Sequence, residues 1–150
     1  MNQRERVQHC CDTIEEWYEF MLAYAAQGIA DDRQSQHGSQ LRELLTRAVE
    51  AAKALPEAYG DLAAGCNPAA SHRYAAFLAV LKEDAAKALA AMELVLAQPR
   101  ISSQLIDNLN ASLHVRTLLT DVFLLDEIVQ LQRLGSALTG RLRRLSHPPV

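Results

Sequence analysis

The sequence predicts an all-α protein, and three observations support that fold class. Alanine and leucine dominate the apolar residues, whereas the β-branched residues that favour strands are few. Apolar residues recur at alternating steps of three and four, which is the spacing of amphipathic helices. The six glycines and five prolines cluster between the apolar blocks instead of recurring at strand-turn intervals. The pattern is therefore typical of a helical bundle.

The periodicity defines four main helices in a single domain, residues 1–150. A chain of this length can bury a core without disulfides or metals. No internal repeat of fixed period is evident, so a solenoid is disfavoured. The predicted helices cover about residues 3–29, 39–55, 68–97 and 103–145.

The first block carries an apolar seam that includes Val7, Ile14 and Met21. Residues 31–38 follow it and contain no apolar residue, which predicts an exposed loop. The second block begins at Ser39, whose hydroxyl can accept a hydrogen bond from an unpaired backbone N–H. Pro56 is expected to end this block or to start a new short helix, because proline lacks the N–H that a helix interior needs.

The third block has the clearest start signal, Asn67 as the capping residue and Pro68 at the first helical position. Its apolar residues widen well beyond a narrow seam. A helix that is apolar over so much of its circumference is expected to be central and to touch neighbours on several sides. Pro99 ends it.

The fourth block has a four-three-four rhythm from Leu118 to Val129, and Leu131, Leu134, Leu138, Leu142 and Leu145 resume it on a slightly rotated face. Unbroken, it would span about 60 Å at about 1.5 Å per residue, which exceeds the needs of a compact bundle. Either the block breaks near residues 108–112 or at Gly135, or its end projects and pairs with a second chain. Residues 146–150 are expected to form a disordered tail.

Charge and cysteine usage indicate a cytoplasmic protein with an acidic body and a basic end. The net charge is −3, with nine Lys or Arg against fourteen Asp or Glu in residues 1–97 and six against four afterwards. The three cysteines form no secretory framework, and the charged N-terminus shows no apolar signal core. No window is apolar enough to predict a transmembrane helix.

No catalytic motif stands out, so the sequence predicts a protein that is not an enzyme and needs no cofactor. It contains no glycine-rich phosphate loop, no HExxH and no CxxC pair. His9, Cys10 and Cys11 are the weak candidates for a metal or redox site. Consecutive helical residues splay by about 100°, however, and chelate one ion poorly. The default interpretation of this triplet is structural.

Half of the aromatic residues lie between residues 17 and 24. Trp17, Phe20 and Tyr24 form a second stripe beside the seam of the first helix. One interpretation is that this helix is buried on two faces. The other is a binding face, since Trp and Tyr are frequent interface anchors.

The basic C-terminal end is the second candidate surface. Arg133, Arg141, Arg143 and Arg144 follow the last acid of the chain, Glu127, and interleave with leucines. Such a helix can bind an acidic protein, an anionic membrane or nucleic-acid phosphates. Its arginines can also simply complement the dipole of the helix C-terminus.

These features favour a non-catalytic interaction module, an adaptor, assembly or export chaperone, or regulatory subunit that forms a homodimer. In size and style the bundle resembles the small helical export and assembly chaperones of bacteria, although no motif carries this likeness. The predicted site is a groove between the first helix (Trp17, Phe20, Tyr24) and the fourth (Leu134, Leu138, Leu142), with Arg141, Arg143 and Arg144 beside it. The alternatives are a nucleic-acid-binding or transcription-regulatory protein that uses the arginine-rich helix, and a metal- or small-molecule-binding bundle.

Overall fold

The all-α prediction is confirmed. A computed structural model describes residues 1–146, and over that range it contains helices and no strands. The predicted tail lies outside the described residues, apart from Ser146. Within the described residues there are five α-helices instead of four: α1 (Gln3–Ala25), α2 (Gln36–Ala64), α3 (Pro68–Leu96), α4 (Ser103–Ala111) and α5 (Leu113–Leu145).

Helix α1 occupies the centre of the bundle and packs against α2, α4 and α5. It begins with a capping box, in which the Asn2 side chain accepts from the Glu5 N–H and the Glu5 carboxylate accepts from the Asn2 N–H. Its seam residues Val7, Ile14 and Met21 are completely buried, as the periodicity predicted. Removing this seam from water is the main stabilising contribution of α1.

Helix α3 contacts α2, α4 and α5, but the expectation that it is buried over much of its circumference is wrong. Only one stripe of this helix is buried, formed by Leu81, Ala85, Ala88, Met92 and Val95. Its other side, including the largely exposed Leu94, faces solvent. Alanine counts as apolar in a sequence pattern, but a methyl group loses little free energy when it stays in water, so the wide apolar pattern does not require wide burial.

The predicted end of the second helix at Pro56 is also wrong, since α2 continues through this proline to Ala64. Proline in a helix interior costs about 3 kcal/mol. Leu55, Ala58 and Tyr59 are buried around it, and the Tyr59 hydroxyl donates to the Tyr74 carbonyl at 3.0 Å. These contacts on both sides of Pro56 outweigh its local penalty.

The fourth block breaks where the sequence allowed a break. Ser112 adopts an extended conformation and separates α4 from α5. Helix α5 then packs against α1 and α3 through residues up to Val129, which is the last buried residue of the helix. The break expected near residues 108–112 is therefore confirmed, and the end of α5 beyond Val129 is largely exposed.

The polar run 31–38 is not the exposed loop that its composition indicated. Asp31 and Asp32 are buried, residues Asp32–Gln34 form a 3-10 turn, and α2 already begins at Gln36 with Ser35 as its cap. The Asp32 carboxylate accepts hydrogen bonds from the Arg42 guanidinium and from the Ile101 N–H, the latter at 2.6 Å. Buried polar groups need such partners, and these fix the turn against α2 and the α3–α4 connection.

Candidate interaction surface

The structure places two of the three predicted binding aromatics in the core. Trp17 is 0% exposed and Tyr24 is 1% exposed. The Tyr24 hydroxyl donates to the Ile101 carbonyl at 2.7 Å, which anchors the end of α1 to the segment before α4. The interpretation of this stripe as an exposed binding face is corrected for both residues: α1 is buried on two faces.

Phe20 is half-buried and packs edge-on against His37, with ring centroids 6.5 Å apart. It therefore belongs to the contact between α1 and the start of α2. Leu134, Leu138 and Leu142 lie beyond the buried part of α5 and are exposed. The predicted groove between the two sets of residues is thus not formed.

The leucines of the projecting end of α5 are the largest exposed apolar feature of that helix. Five of them are between 58% and 75% exposed. We call this set the leucine stripe; its members are Leu131, Leu134, Leu138, Leu142 and Leu145. At about 100° per residue they lie within an arc of about 80°, so they form one continuous surface.

The leucine stripe faces away from the body of the protein. Leu118, Val122, Leu125 and Val129 form the buried side of α5. Rotation by about 100° per residue places the leucine stripe about 170° from them, on the opposite side of the helix. The sequence-based expectation of a slightly rotated continuation is wrong, because the step from Val129 to Leu131 is two positions, a rotation of about 200° that carries the pattern to the other side of the helix.

Two residues nearer the body extend this surface and were missed from the sequence. Phe123 is 47% exposed and Leu124 is 49% exposed, although both lie beside buried neighbours. Phe123 touches Tyr18 of α1 through an edge contact, with ring centroids 6.2 Å apart. The signal was available, since Leu124 lies seven residues before Leu131 and thus on the same face.

The projecting end of α5 is held to the body by polar contacts. The Gln132 amide donates to the Tyr74 hydroxyl, and the Arg4 guanidinium donates to the Ser136 hydroxyl at 3.2 Å. Beyond them Arg141, Arg143 and Arg144 are exposed, as is Arg133. The basic end predicted from the sequence is therefore a solvated helix end.

The His9-Cys10-Cys11 triplet does not converge on one point. His9 is exposed, whereas Cys10 and Cys11 are buried. Burial raises the pKa of both thiols, and for Cys11 the neighbouring carboxylates Asp126 and Glu15 raise it further. A thiol that stays protonated is a poor nucleophile and a poor metal ligand, which favours the structural interpretation.

A cluster of carboxylates at the α1–α5 contact was not anticipated. Oxygens of Asp12, Glu15 and Asp126 lie within 4.8 Å of one another. The Gln8 amide donates to Asp126 at 2.6 Å and to Asp12 at 2.8 Å. Burial, the hydrogen bond with Asp126 and its negative charge raise the pKa of Glu15 to about 7. Protonation of Glu15 removes one of the three negative charges of this cluster, and the Gln8 amide donates hydrogen bonds to the other two carboxylates.

A second carboxyl pair joins α5 to α3. Asp121 is buried, and burial together with a hydrogen bond to Asp84 and the Asp84 charge raises its pKa to about 7. Two facing carboxyls hold together best when one of them is protonated. The contacts of α5 with α1 and with α3 therefore each contain a pair of this kind.

These pairs make the stability of the fold depend on pH. Folding raises the pKa of Glu15 from 4.5 and that of Asp121 from 3.8 to about 7, so their stabilising contribution is complete below about pH 4 and is lost as the pH rises through about 7. We expect the free energy of unfolding, measured by urea denaturation, to fall by about 1 kcal/mol per pair between about pH 5 and about pH 8. Asp31, whose pKa the hydrogen bond from Arg33 lowers to about 2, opposes this trend only at more acidic pH.

The double variant Glu15→Gln and Asp121→Asn is the control for this prediction. Each amide can donate to its carboxylate partner at every pH, so the urea midpoint should become nearly independent of pH over the same range. If the stability of the double variant depends on pH as steeply as that of the unmodified protein, Glu15 and Asp121 are not the groups responsible.

Comparisons with family models, with curated proteins and with solved structures found no match to this chain. Across residues 1–146, no helix combines the length and the apolar character needed to cross a membrane.

Proposed function

We propose that this protein is a non-catalytic interaction module, an adaptor, assembly or export chaperone, or regulatory subunit, and that it binds a protein partner through α5. The observation that carries the proposal is the leucine stripe on the outward side of that helix. Isolated exposed leucines are ordinary on protein surfaces, but a contiguous apolar surface of this extent marks an interaction site. The surrounding polar and basic residues supply a solvated rim.

The free energy available from this surface supports the proposal. Burying five leucines that are about two-thirds exposed contributes on the order of 5–10 kcal/mol before the cost of association is subtracted. The bundle itself does not use these side chains, because its core ends at Val129. A helix that places an apolar stripe along a partner's groove or helix is a recurring mode of recognition.

The positions of Cys10, Cys11 and the carboxyls with raised pKa support a non-catalytic role. The thiols of Cys10 and Cys11 are buried, and the carboxyls with raised pKa are held at helix–helix contacts. A general acid or base has to reach a substrate, usually in an open pocket. Buried free thiols also suit a reducing compartment, and we place the protein in the cytoplasm on that basis.

The test replaces the outward leucines without touching the core. We expect the triple variant Leu134→Ser, Leu138→Ser and Leu142→Ser to keep its helix content, because exposed substitutions usually change stability by less than about 0.5 kcal/mol each. The amount of each partner protein cross-linked to the variant in extracts of its native cell, measured by quantitative mass spectrometry, should fall at least tenfold. A loss of about 1.4 kcal/mol of binding free energy is enough for a tenfold decrease in affinity.

Leu94→Ser is the matched control, because Leu94 is equally exposed (66%) but lies on α3. This variant should retain the same partners as the unmodified protein. A triple variant that keeps those partners, or a Leu94 variant that loses them as well, would overturn the proposal.

A second candidate function, nucleic-acid binding, is favoured by the exposure of Arg141, Arg143 and Arg144. Phosphate contacts need only exposed cations and weaken steeply with salt. Binding to a DNA duplex that falls with salt and disappears when these three arginines become glutamines, while the serine triple variant still binds, would favour this function over the first.

A further inference from the structure

Resting on the proposed function, we infer that in the absence of another partner the leucine stripe is covered by a second copy of this chain, with the two α5 helices antiparallel. The twofold axis passes between Leu134 and Gly135. In this register Leu131 lies against the partner's Leu138, and Leu124 lies against the partner's Leu145. The occupant and its orientation follow from the position, length and charges of the stripe.

The outward position of the stripe makes such pairing sterically accessible. The exposed apolar face runs from Leu124, at the level of the body, to Leu145 at the projecting end. That is about 33 Å of helix at about 1.5 Å per residue. An antiparallel pair brings each projecting end to the body-level part of the other helix. Leu124 and Phe123, which are partly exposed in the monomer, then lie beside the projecting end of the second copy's α5.

The charges on this face select the antiparallel orientation. Two exposed charged residues lie on this face: Glu127 between Leu124 and Leu131, and Arg141 between Leu138 and Leu142. A parallel pair would set each of them against its own copy. The antiparallel register places Glu127 beside the partner's Arg141, and symmetry repeats this ion pair. The other arginines, Arg133, Arg143 and Arg144, lie more than about 100° from the centre of the stripe and stay in solvent.

The size of the contact suits a stable but exchangeable dimer. The exposed parts of the stripe and of Leu124 bury on the order of 1,000 Å² over both subunits, which is about the lower bound for a specific interface. Gly135 lies at the crossing point, and an added Cβ there would meet nothing within 4 Å in the monomer. Glycine lowers helix stability in this position, but it lets two helices approach closely.

The oligomeric state of the full chain tests the inference. Sedimentation equilibrium should show a monomer–dimer equilibrium for the unmodified protein and for the Leu94→Ser control. The variant Leu134→Ser with Leu138→Ser should be monomeric, with circular dichroism unchanged. A monomeric unmodified protein, or a variant that dimerises as well as the control, overturns the inference.

Charge exchange tests the orientation. Arg141→Glu should weaken the dimer about tenfold, because it replaces two attractive contacts by two repulsive ones. The double variant Arg141→Glu with Glu127→Arg should restore it. A double variant that stays as weak as the single one is inconsistent with the antiparallel register.

Single cysteines test the register directly, in a background in which the partly exposed Cys66 is serine. Leu134→Cys lies next to the axis and should form an intermolecular disulfide on oxidation. Leu145→Cys should not form an intermolecular disulfide, because residue 145 of one subunit lies about 31 Å from residue 145 of the other along the helix axes. A disulfide needs Cα atoms within about 7 Å. Mixing Leu145→Cys with Leu124→Cys should give the mixed dimer. Cross-linking of Leu145→Cys to itself would show a parallel pair and overturn the inference.

Failure of this inference and failure of the proposed function give different results. If the unmodified protein is a monomer but the serine triple variant still loses the bound proteins, the leucine stripe binds another protein. In that case the inference of a dimer fails and the proposed function stands. If it dimerises through α5 in the predicted register but the partners do not depend on the stripe, the proposed function fails alone. When both hold, an added partner helix should compete with the second copy and shift the dimer towards monomer.

Discussion

Replacing Gly38 by alanine should destabilise the protein by at least about 3 kcal/mol, a loss typical of broken buried polar networks. An added Cβ at this position would lie 2.0 Å from the Asp32 carbonyl oxygen and 2.5 Å from the Asp32 carbonyl carbon and Cα. These are backbone atoms, so no side-chain rotation can make room. Either α2 or the turn at Asp32 has to move.

The turn cannot move without breaking the polar network around Asp32. Asp32 is 3% exposed, and its carboxylate accepts hydrogen bonds from the Arg42 guanidinium and from the Ile101 N–H. Burial alone would raise the pKa of Asp32, but these hydrogen bonds outweigh it and hold the pKa below its usual value. Arg42 also donates to the Leu96 carbonyl at 3.2 Å and to the Gln98 carbonyl at 2.9 Å. Displacing Asp32 therefore loosens three segments at once.

Urea denaturation of Gly38→Ala beside Gly140→Ala measures this effect. Gly140 also lies inside a helix, but a Cβ there would meet nothing within 4 Å. Alanine is the better helix former by about 1 kcal/mol, so this control should be as stable as the unmodified protein or slightly more stable. Equal behaviour of the two variants would show that Asp32 and Gly38 do not approach as described.

The helices were predictable because burial on one side imposes a spacing of three and four. The seam of α1 and the cap at Asn67 follow from local rules of this kind, whereas the break before Leu113 was one of several alternatives that the length of the fourth block left open. The continuation of α2 through Pro56 was not predictable in this way, because the contacts that outweigh the cost of the proline come from Tyr74 and its neighbours on α3. Non-local contacts leave no mark in a local pattern.

The polar run 31–38 was misjudged for the same reason. A stretch without apolar residues normally stays in water. Here Asp32 is buried because Arg42 and Ile101, ten and sixty-nine residues away, supply its hydrogen-bond partners. The close approach of Gly38 is equally non-local. The sequence shows a glycine at position 38, but it does not show that the Asp32 backbone lies too close for any larger residue.

The candidate surface was predicted in part. The leucines of the fourth block were singled out correctly as exposed apolar residues, because they exceeded what a compact bundle can bury. The side of α5 on which they lie was not predictable from their own spacing, since it depends on which residues of that helix face the body. For the aromatic stripe the pattern allowed both burial and exposure, and only packing against α4 and α5 decides between them.

Trp17→Ala is the second substitution with a large expected effect. The side chain is completely buried and is among the largest in the core. Truncating a buried tryptophan costs about 3–5 kcal/mol through lost burial and the cavity left behind. Against a total stability of about 5–15 kcal/mol, this loss should lower the urea midpoint sharply. Any partner lost by this variant should be lost in proportion to unfolding.

Trp17→Phe separates packing from recognition. The indole N–H of Trp17 is buried and has no hydrogen-bond partner among the described residues, so phenylalanine removes no hydrogen bond within them. The variant should stay folded, at a cost of about 1–2 kcal/mol for the smaller ring. It should also keep every partner that depends on the leucine stripe. A folded Trp17→Phe protein that loses those partners would mean that the indole is recognised directly, and that α1 opens to expose it when a partner binds.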